Sequence, residues 1–271
     1  KFFKQETGFP NFKKKGQRDS FYISNDKFRV EGKNIRIPKL GMVRMAECLR
    51  FEGKLISAVV SQRAGFWFVS ITVEIPDRPK VENQGRRFIG IDVGLEKLAT
   101  TSDGWYYENP RHLAVLSRKL RRLNKSLSRK QQGSSNWKKA KLLLARLHYR
   151  ITCTRNDYIH KMTTEISQDY TDVCLEDLNI KGMLKNRCLS KHIASAAWYE
   201  IKRQLSYKAT VHECGRFDPS SKICCKCGSH LELTLADRWV SCECGNEIDR
   251  DVNAAKNILG WASPDVMPVE T

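Results

Sequence analysis

The sequence predicts an α/β protein. A strand-rich first third precedes an α/β domain that is interrupted by a basic helical hairpin and by a four-cysteine ribbon. Three observations carry this. Short apolar runs separated by glycines recur from Phe21 to Ile75. Two apolar stripes at helical spacing follow between Leu113 and Tyr158. Two glycine-flanked cysteine pairs, Cys224/Cys227 before Gly228 and Cys242/Cys244 before Gly245, close the chain's last quarter.

Composition narrows the function. The chain has 271 residues, enough for one large domain or two to three small ones with real cores, and a net charge of +18. Self-repulsion from so one-sided a charge is relieved by a polyanionic partner, most simply nucleic acid. No apolar run approaches the roughly 20 residues that span a bilayer, so no membrane partner is expected. No signal peptide is present. Five of the ten cysteines (Cys48, Cys153, Cys174, Cys188 and Cys214) are dispersed and the rest cluster, which favours a reducing compartment with zinc over a disulfide framework. The chain opens on Lys1 without an initiator methionine, so a preceding segment is expected.

Residues 1–85 read as β. The runs are Phe21–Ile23, Phe28–Val30, Ile35–Ile37, Leu40–Met45, Leu55–Val60 and Phe66–Ile75, punctuated by Gly32, Gly41, Gly53 and Gly65. That spacing predicts a small barrel. Bases interleave with aromatics at Phe12-Lys13-Lys14-Lys15, which suits a nucleic-acid surface and equally a solvated rim. Pro76 to Gln84 reads as a linker.

Residues 86–211 read as a second domain. Phe88 to Gly94 (FIGIDVG) is an apolar strand carrying one acid, Asp92, and a hairpin follows to a turn at Asp103-Gly104. A carboxylate in a buried strand is costly, so Asp92 is either a metal ligand or a turn cap. Residues 111–165 form the hairpin of helices. Leu113, Leu116, Leu120, Leu123 and Leu127 make one stripe; Ala140, Leu144, Leu147, Ile151, Thr154 and Tyr158 make the other, across a polar turn at Gly133 to Asn136. Between Arg111 and Lys161 the acid Asp157 stands against 15 bases. A solvated face would mix signs for i,i+4 pairing, so this one points to phosphate. The candidate contacts are Arg118, Arg121, Arg122, Lys125, Arg129, Lys138 and Lys139. Asp172 to Leu178 is a strand ending in Glu176 and Asp177, and Ala194 to Ala209 reads as a helix.

Residues 212–248 read as a zinc ribbon. Tetrahedral zinc needs four soft ligands from two turns, and Cys224, Cys227, Cys242 and Cys244 supply them, with Cys225 as a spare packing residue. Residues 249–271 close the domain: a helix from Asn253 to Leu259 starts near Asp251, followed by a tail. None of the six histidines shares a metal spacing, His230 in the ribbon included. The six tryptophans read as core or edge packing rather than base-stacking platforms, with Trp239 over the ribbon.

Set side by side, Asp92, Glu176 and Asp251 can converge on one sheet edge from two strand ends and a helix start. Clustered carboxylates repel unless a hard cation holds them, and Mg²⁺ or Mn²⁺ takes such oxygens. Two such ions about 3.5–4 Å apart activate a water and stabilise the leaving oxygen of a phosphodiester.

The order G-I-D-x-G, L-E-D-L, C-x-x-C-G with a second knuckle, then D-R-D-x-N-A-A-x-N-I resembles the transposon-encoded TnpB family, compact relatives of type V CRISPR effectors. The resemblance runs from Gly8-Phe9-Pro10 to Leu259. It implies an RNase H-like RuvC nuclease domain with an inserted zinc ribbon, preceded by a β-barrel "wedge" domain. It implies an RNA-guided DNA endonuclease whose guide RNA comes from the transposon end and whose target is double-stranded DNA, acting in a prokaryotic cytoplasm at the nucleoid. Matched by motif, Asp92, Glu176 and Asp251 are the catalytic acids that hold Mg²⁺, and the four cysteines hold structural Zn²⁺. Asp249 rivals Asp251, and Asp177 is the weaker neighbour of Glu176. The family's N-terminal helical insert and first barrel strand are not evident. Three other functions compete with this one: a nuclease-inactive RNA-guided DNA-binding regulator of the same descent, a strand-joining transposase, and a zinc-ribbon RNA-binding protein. The acids disfavour the first and last, and the acid order with the ribbon disfavours the second.

Overall fold

The computed structural model describes residues 3, 8, 9, 16, 19–76, 85–216, 218–234 and 236–263. The Phe12 to Lys15 stretch, most of the expected linker and the C-terminal tail lie outside these residues. The chain divides into two compact units, 1–81 with 123–149, and 82–122 with 150–271.

In the first unit the apolar runs become strands β1 (Ser20–Ser24), β2 (Arg29–Glu31), β3 (Asn34–Ile37), β4 (Gly41–Arg44), β5 (Lys54–Arg63) and β6 (Phe66–Glu74). They pair as two three-stranded antiparallel sheets, β1-β5-β6 and β2-β3-β4. Alternation places Ile35 and Ile37 of β3 with Ile23 of β1 and Ala58 and Val60 of β5, so both sheets share one core with Phe28. Residues 123–149 cluster with this unit through aromatic contact. The Tyr149 ring lies 5.7 Å from Phe68 and 6.1 Å from Phe66, and the Arg146 guanidinium stands 5.0 Å over Phe66.

The second unit is built on β7 (Phe88–Asp92), β8 (Lys97–Thr101) and β9 (Tyr106–Glu108). Helices α1 (His112–Val115), α2 (Ser117–Ser128) and α3 (Ser135–Asp169) follow, then β10 (Asp172–Glu176), α4 (Ile180–Met183), α5 (Ser190–Ala196), α6 (Trp198–Leu205) and β11 (Thr210–Cys214). The ribbon adds β12 (Trp239–Ser241) and β13 (Glu247–Asp249), and α7 (Arg250–Ala262) closes the described residues. Five strands form one mixed sheet, β11-β10-β7-β8-β9, with β7, β10 and β11 parallel and β8 antiparallel to its neighbours.

Strand parity decides the faces. Ile89 and Ile91 of β7, and Val173 and Leu175 of β10, point to a face covered by Ile159, Met162 and Ile166 of α3 and by Ile193, Ile201 and Leu205 of α5 and α6. The alternate residues, Phe88 and Cys174, meet Ile258 and Leu259 of α7 on the other face. Gly90 belongs to that second face, and there only glycine fits. A Cβ on it would lie 2.0 Å from the Ala255 carbonyl oxygen and 2.8 Å from the Leu259 nitrogen. Gly90→Ala is therefore expected to push α7 off the sheet and lower stability by about 3 kcal/mol or more, because the obstacle is backbone that cannot rotate away. Urea unfolding that leaves the variant within about 1 kcal/mol of wild type would contradict this.

The helices differ from expectation in four places. A short α1 precedes the hairpin, which starts at Ser117 rather than Arg111, and α3 runs on to Asp169. Thr154 is exposed, its hydroxyl donating to the Arg150 carbonyl, and the half-buried Arg155 takes the inward position. A 3.6-residue turn drifts from a 3.5-residue stripe over so long a helix. The expected Ala194 to Ala209 helix is two helices, broken at Ala197, whose φ is 55°.

Candidate functional site

Sheet parity places Asp92 on the α7 face, two residues beyond Gly90. It places Glu176 there too, two beyond Cys174. β7 and β10 are parallel with Cys174 level with Gly90, so continuing that register by two residues sets Glu176 beside Asp92. Both acids thus stand at the C-terminal ends of the two central strands. α7 crosses this face, and its first turn carries Asp251. The sheet therefore gathers three carboxylates separated by up to 159 residues of chain (Asp92 to Asp251).

Electrostatics reports the same convergence. Burial, and then the charges of Glu176 and Asp251, push the Asp92 carboxyl up to about 7. Asp251 is also raised, by burial and by Asp249. Among the described residues these acids do not close as tightly as the cysteines do, whose ligand atoms lie within 4.8 Å of one another. Hard oxygen donors, mutual repulsion and a carboxyl this strongly perturbed fit a divalent cation such as Mg²⁺ or Mn²⁺.

The neighbouring acids are engaged elsewhere. Asp249 is the N-cap of α7: Oδ1 accepts from the Asp251 and Val252 amides at 2.8 and 3.3 Å, and Oδ2 accepts from Lys97 Nζ at 2.9 Å. Both of its oxygens are occupied, and its carboxyl is lowered because the Lys97 bond and the amides outweigh burial. Asp251 lies 3.8 Å from Lys97 and caps nothing. Asp177 is paired with Arg216 at 2.5 Å. Ser220 donates its hydroxyl to Glu176 Oε1 and orients it.

The four-cysteine ribbon sits directly against α7. Cys224 and Cys244 sulfurs are 3.7 Å apart, and those of Cys227 and Cys242 are 3.5 Å apart. Tetrahedral ligands at about 2.3 Å from zinc lie about 3.8 Å from each other, so the donor set fits zinc. Gly228 and Gly245, at φ 74° and 77°, close the two knuckles by donating to the carbonyls of Cys224 and Cys242, both at 2.9 Å. The shorter C-x-C pair reaches the cluster as well as the C-x-x-C pair does. Ser229 holds the Cys227 thiol down to about 6 through its hydroxyl and amide. His230 is exposed and outside the cluster.

Two residues that sequence reasoning did not single out join ribbon to helix. Asn253, fully buried, donates to the Ile223 carbonyl at 2.7 Å and accepts from the Cys225 amide at 2.9 Å. Asn257, one turn on, donates to the carbonyls of Ser220 and Ile223, each at 2.7 Å. The signal was present as two asparagines four apart on an otherwise alanine-rich face. Cys225 therefore has a role through its amide, and its sulfur accepts from the Asn246 side chain at 3.7 Å. Trp239, expected over the ribbon, is 59% exposed. Alternation along β12 turns Val240 inward and Trp239 outward. Trp67, Trp105 and Trp261 are also exposed, while Trp198 is buried and donates to the Gly94 carbonyl at 3.2 Å.

All seven candidate phosphate contacts, Arg118, Arg121, Arg122, Lys125, Arg129, Lys138 and Lys139, are exposed. None makes an ion pair among the described residues. No helix of the described residues is long and apolar enough to cross a membrane.

Comparison with known proteins is consistent with this geometry. Residues 70–187 match the OrfB_IS605 family, described as "Probable transposase", and residues 198–258 match the "Cas12f1-like, TNB domain" family. The first span holds Asp92 and Glu176, and the second holds the four cysteines and Asp251. The chain is 35% identical over 280 residues to "Putative RNA-guided DNA endonuclease InsQ" of Escherichia coli K12, covering 95% of this chain and 69% of that protein. It is 35% identical to "Putative RNA-guided DNA endonuclease" of Streptomyces pristinaespiralis, covering 95% of this chain and 66% of that protein. The fold is shared with a chain of the cryo-EM structure of the Cas12f1-sgRNA-target DNA complex, at a TM-score of 0.53 and 18% identity. That match covers 76% of this chain and 46% of the other, so this chain spans under half of that length.

Proposed function

This chain belongs to the TnpB family, and from that membership we propose that it is an RNA-guided DNA endonuclease of a transposon, cutting phosphodiester bonds at Asp92, Glu176 and Asp251. The observation that carries the reading is the convergence of these three carboxylates on one sheet edge, with Asp92 pushed up to about 7 by burial and by the other two. The strand order β11-β10-β7-β8-β9, with β8 reversed, supports an RNase H-like RuvC core. The first unit, with its two sheets on a common core, would be the wedge-type barrel. We assign residues 212–248 to a structural zinc ribbon inserted in that core, and residues 249–271 to its end and a tail.

In this reading Asp92, Glu176 and Asp251 hold Mg²⁺ or Mn²⁺. When bound, such ions activate water and stabilise the leaving oxygen of the scissile phosphate. The chain supplies the rest. Ser220 fixes the rotamer of Glu176. The N-terminal turn of α7 presents Asp251 at the positive end of the helix dipole, which favours an anion. The seven bases of the hairpin, from Arg118 to Lys139, hold a nucleic-acid backbone by charge, a term that weakens steeply with salt. The partners are a guide RNA from the transposon end and a double-stranded DNA target, in a prokaryotic cytoplasm near the nucleoid.

The test is direct. The protein is purified from cells expressing the transposon end, copurifying RNA is sequenced, and DNA matched to that RNA is incubated with zinc-loaded protein, with and without Mg²⁺. The expected result is cutting that needs both the match and Mg²⁺. Cutting indifferent to the match removes the guide from the reading, and intact DNA under all conditions removes the nuclease.

A further inference from the structure

We infer that Lys97 is the site's internal counter-cation: its ammonium, placed between Asp249 and Asp251, keeps Asp249 from becoming a metal ligand and sets how tightly the site takes a divalent cation. This rests on the reading of Asp92, Glu176 and Asp251 as a hard-cation site.

Local structure delivers Lys97 there. It is the first residue of β8, which returns antiparallel to β7 with Thr100 opposite Asp92. The return is tight: a Cβ on Gly94 would stand 2.8 Å from the Lys97 carbonyl oxygen, and the Gly94 amide donates to the Leu98 carbonyl at 3.3 Å. The ammonium lies 5.0 Å from the centre of the Tyr106 ring, whose face favours a cation. Its distances to Asp249 Oδ2 and Asp251 Oδ2 are 2.9 and 3.8 Å.

An ordinary surface ion pair would be worth little. Three features set this one apart. Its three side chains are only 25–31% exposed. It faces two acids, Asp249 and Asp251, rather than one, and both add their charge to that of Glu176 on Asp92. Arg250 and Arg238 act on these acids by charge from a distance, but their guanidiniums bond elsewhere, Arg250 to the carbonyls of Thr234 and Asp237 at 2.9 and 3.3 Å, and Arg238 to Glu96 at 2.9 Å. Lys97 is thus the cation in direct contact with the cluster among the described residues.

The consequence has a definite sign. An ammonium within 4 Å of a ligand carboxylate repels an incoming dication and occupies the oxygen of a fourth acid. Removing its charge should tighten metal binding and, in the absence of metal, weaken the fold. Lys97→Gln keeps a donor for Asp249 but no charge, and Asp249 Oδ1 still caps α7.

The experiment is a calorimetric Mn²⁺ titration of the full zinc-loaded chain, using the heat that Asp92→Asn abolishes as the signal of this site. Lys97→Gln is expected to lower the Mn²⁺ dissociation constant about tenfold, and Lys97→Arg to leave it within about twofold. Without Mn²⁺, the Lys97→Gln melting temperature falls, and saturating Mn²⁺ closes the gap to wild type. Unchanged or weaker binding in Lys97→Gln overturns the inference and leaves the metal site standing. A Lys97→Arg shift as large as that of Lys97→Gln overturns it too, because charge is then not the cause. No Asp92-dependent heat in wild type overturns the inference together with the site it rests on.

Discussion

Asp92→Asn loses cleavage of guide-matched DNA by on the order of 10³-fold or more, while copurifying RNA and target binding persist. The side chain keeps its size and loses its charge, so the fold is retained and the cation loses a ligand. The same variant carries a second, opposite effect. Burial and the charges of Glu176 and Asp251 raise the Asp92 carboxyl from 3.8 to about 7. Between those values the folded chain binds a proton that the unfolded chain has released. Wild-type stability in magnesium-free buffer therefore falls as pH rises through that window, at about 1.4 kcal/mol per unit, and the full penalty is present by pH 8. Asp92→Asn has no such penalty. It is expected to be more stable than wild type at pH 8 by a few kcal/mol, on the order set by that slope, and to match it near pH 4. Urea unfolding of both proteins at the two pH values, with zinc bound and magnesium withheld, measures this. Equal stabilities at pH 8 would mean that Asp92 is not held in the crowded site described here, and undiminished cleavage would remove it from the chemistry.

The second large effect is expected at the ribbon, although no reacting atom is there. Cys242→Ser or Cys224→Ser should release zinc, and with it the order of residues 218–248. Structural zinc contributes on the order of 10 kcal/mol to small domains of this kind. The loss travels along named bonds. Asn253 and Asn257 of α7 are anchored to the Ile223 carbonyl, the Cys225 amide and the Ser220 carbonyl. Ser220 in turn orients Glu176. Both the helix that carries Asp251 and the Glu176 carboxylate therefore lose their support when the knuckles open. The expected result is loss of one zinc per chain by metal analysis, a lower melting temperature, and cleavage reduced about as far as in Asp92→Asn. A serine variant that has lost zinc and still cleaves at the wild-type rate would make the ribbon a separate module.

Much of this site was legible in the sequence because its signals are local. Four thiols in two glycine-flanked turns need no tertiary information to be recognised. Asp92 stands out because a lone acid breaks an apolar strand. The basic hairpin is visible as one-signed charge on a leucine-striped helix pair. Signals that depend on long-range contact were not readable. Thr154 belongs to the stripe by counting, and the accumulated drift of α3 takes it outward. Trp239 looks like packing by residue type, and strand parity exposes it.

The sequence by itself determined which side chains could hold metal and that the chain carries a positive excess suited to a polyanion, because ligand chemistry and net charge are properties of residues. Only the tertiary structure separates the surroundings of Asp249 from those of Asp251. Two acids flanking one arginine are equivalent on paper. They differ because a helix begins between them, so that one carboxylate satisfies open amide groups, and because Lys97, 152 residues earlier, reaches the same carboxylate from β8. Capping and ion pairing occupy both oxygens of Asp249, while Asp251 stands 3.8 Å from Lys97 and adds its charge to that of Glu176 on Asp92.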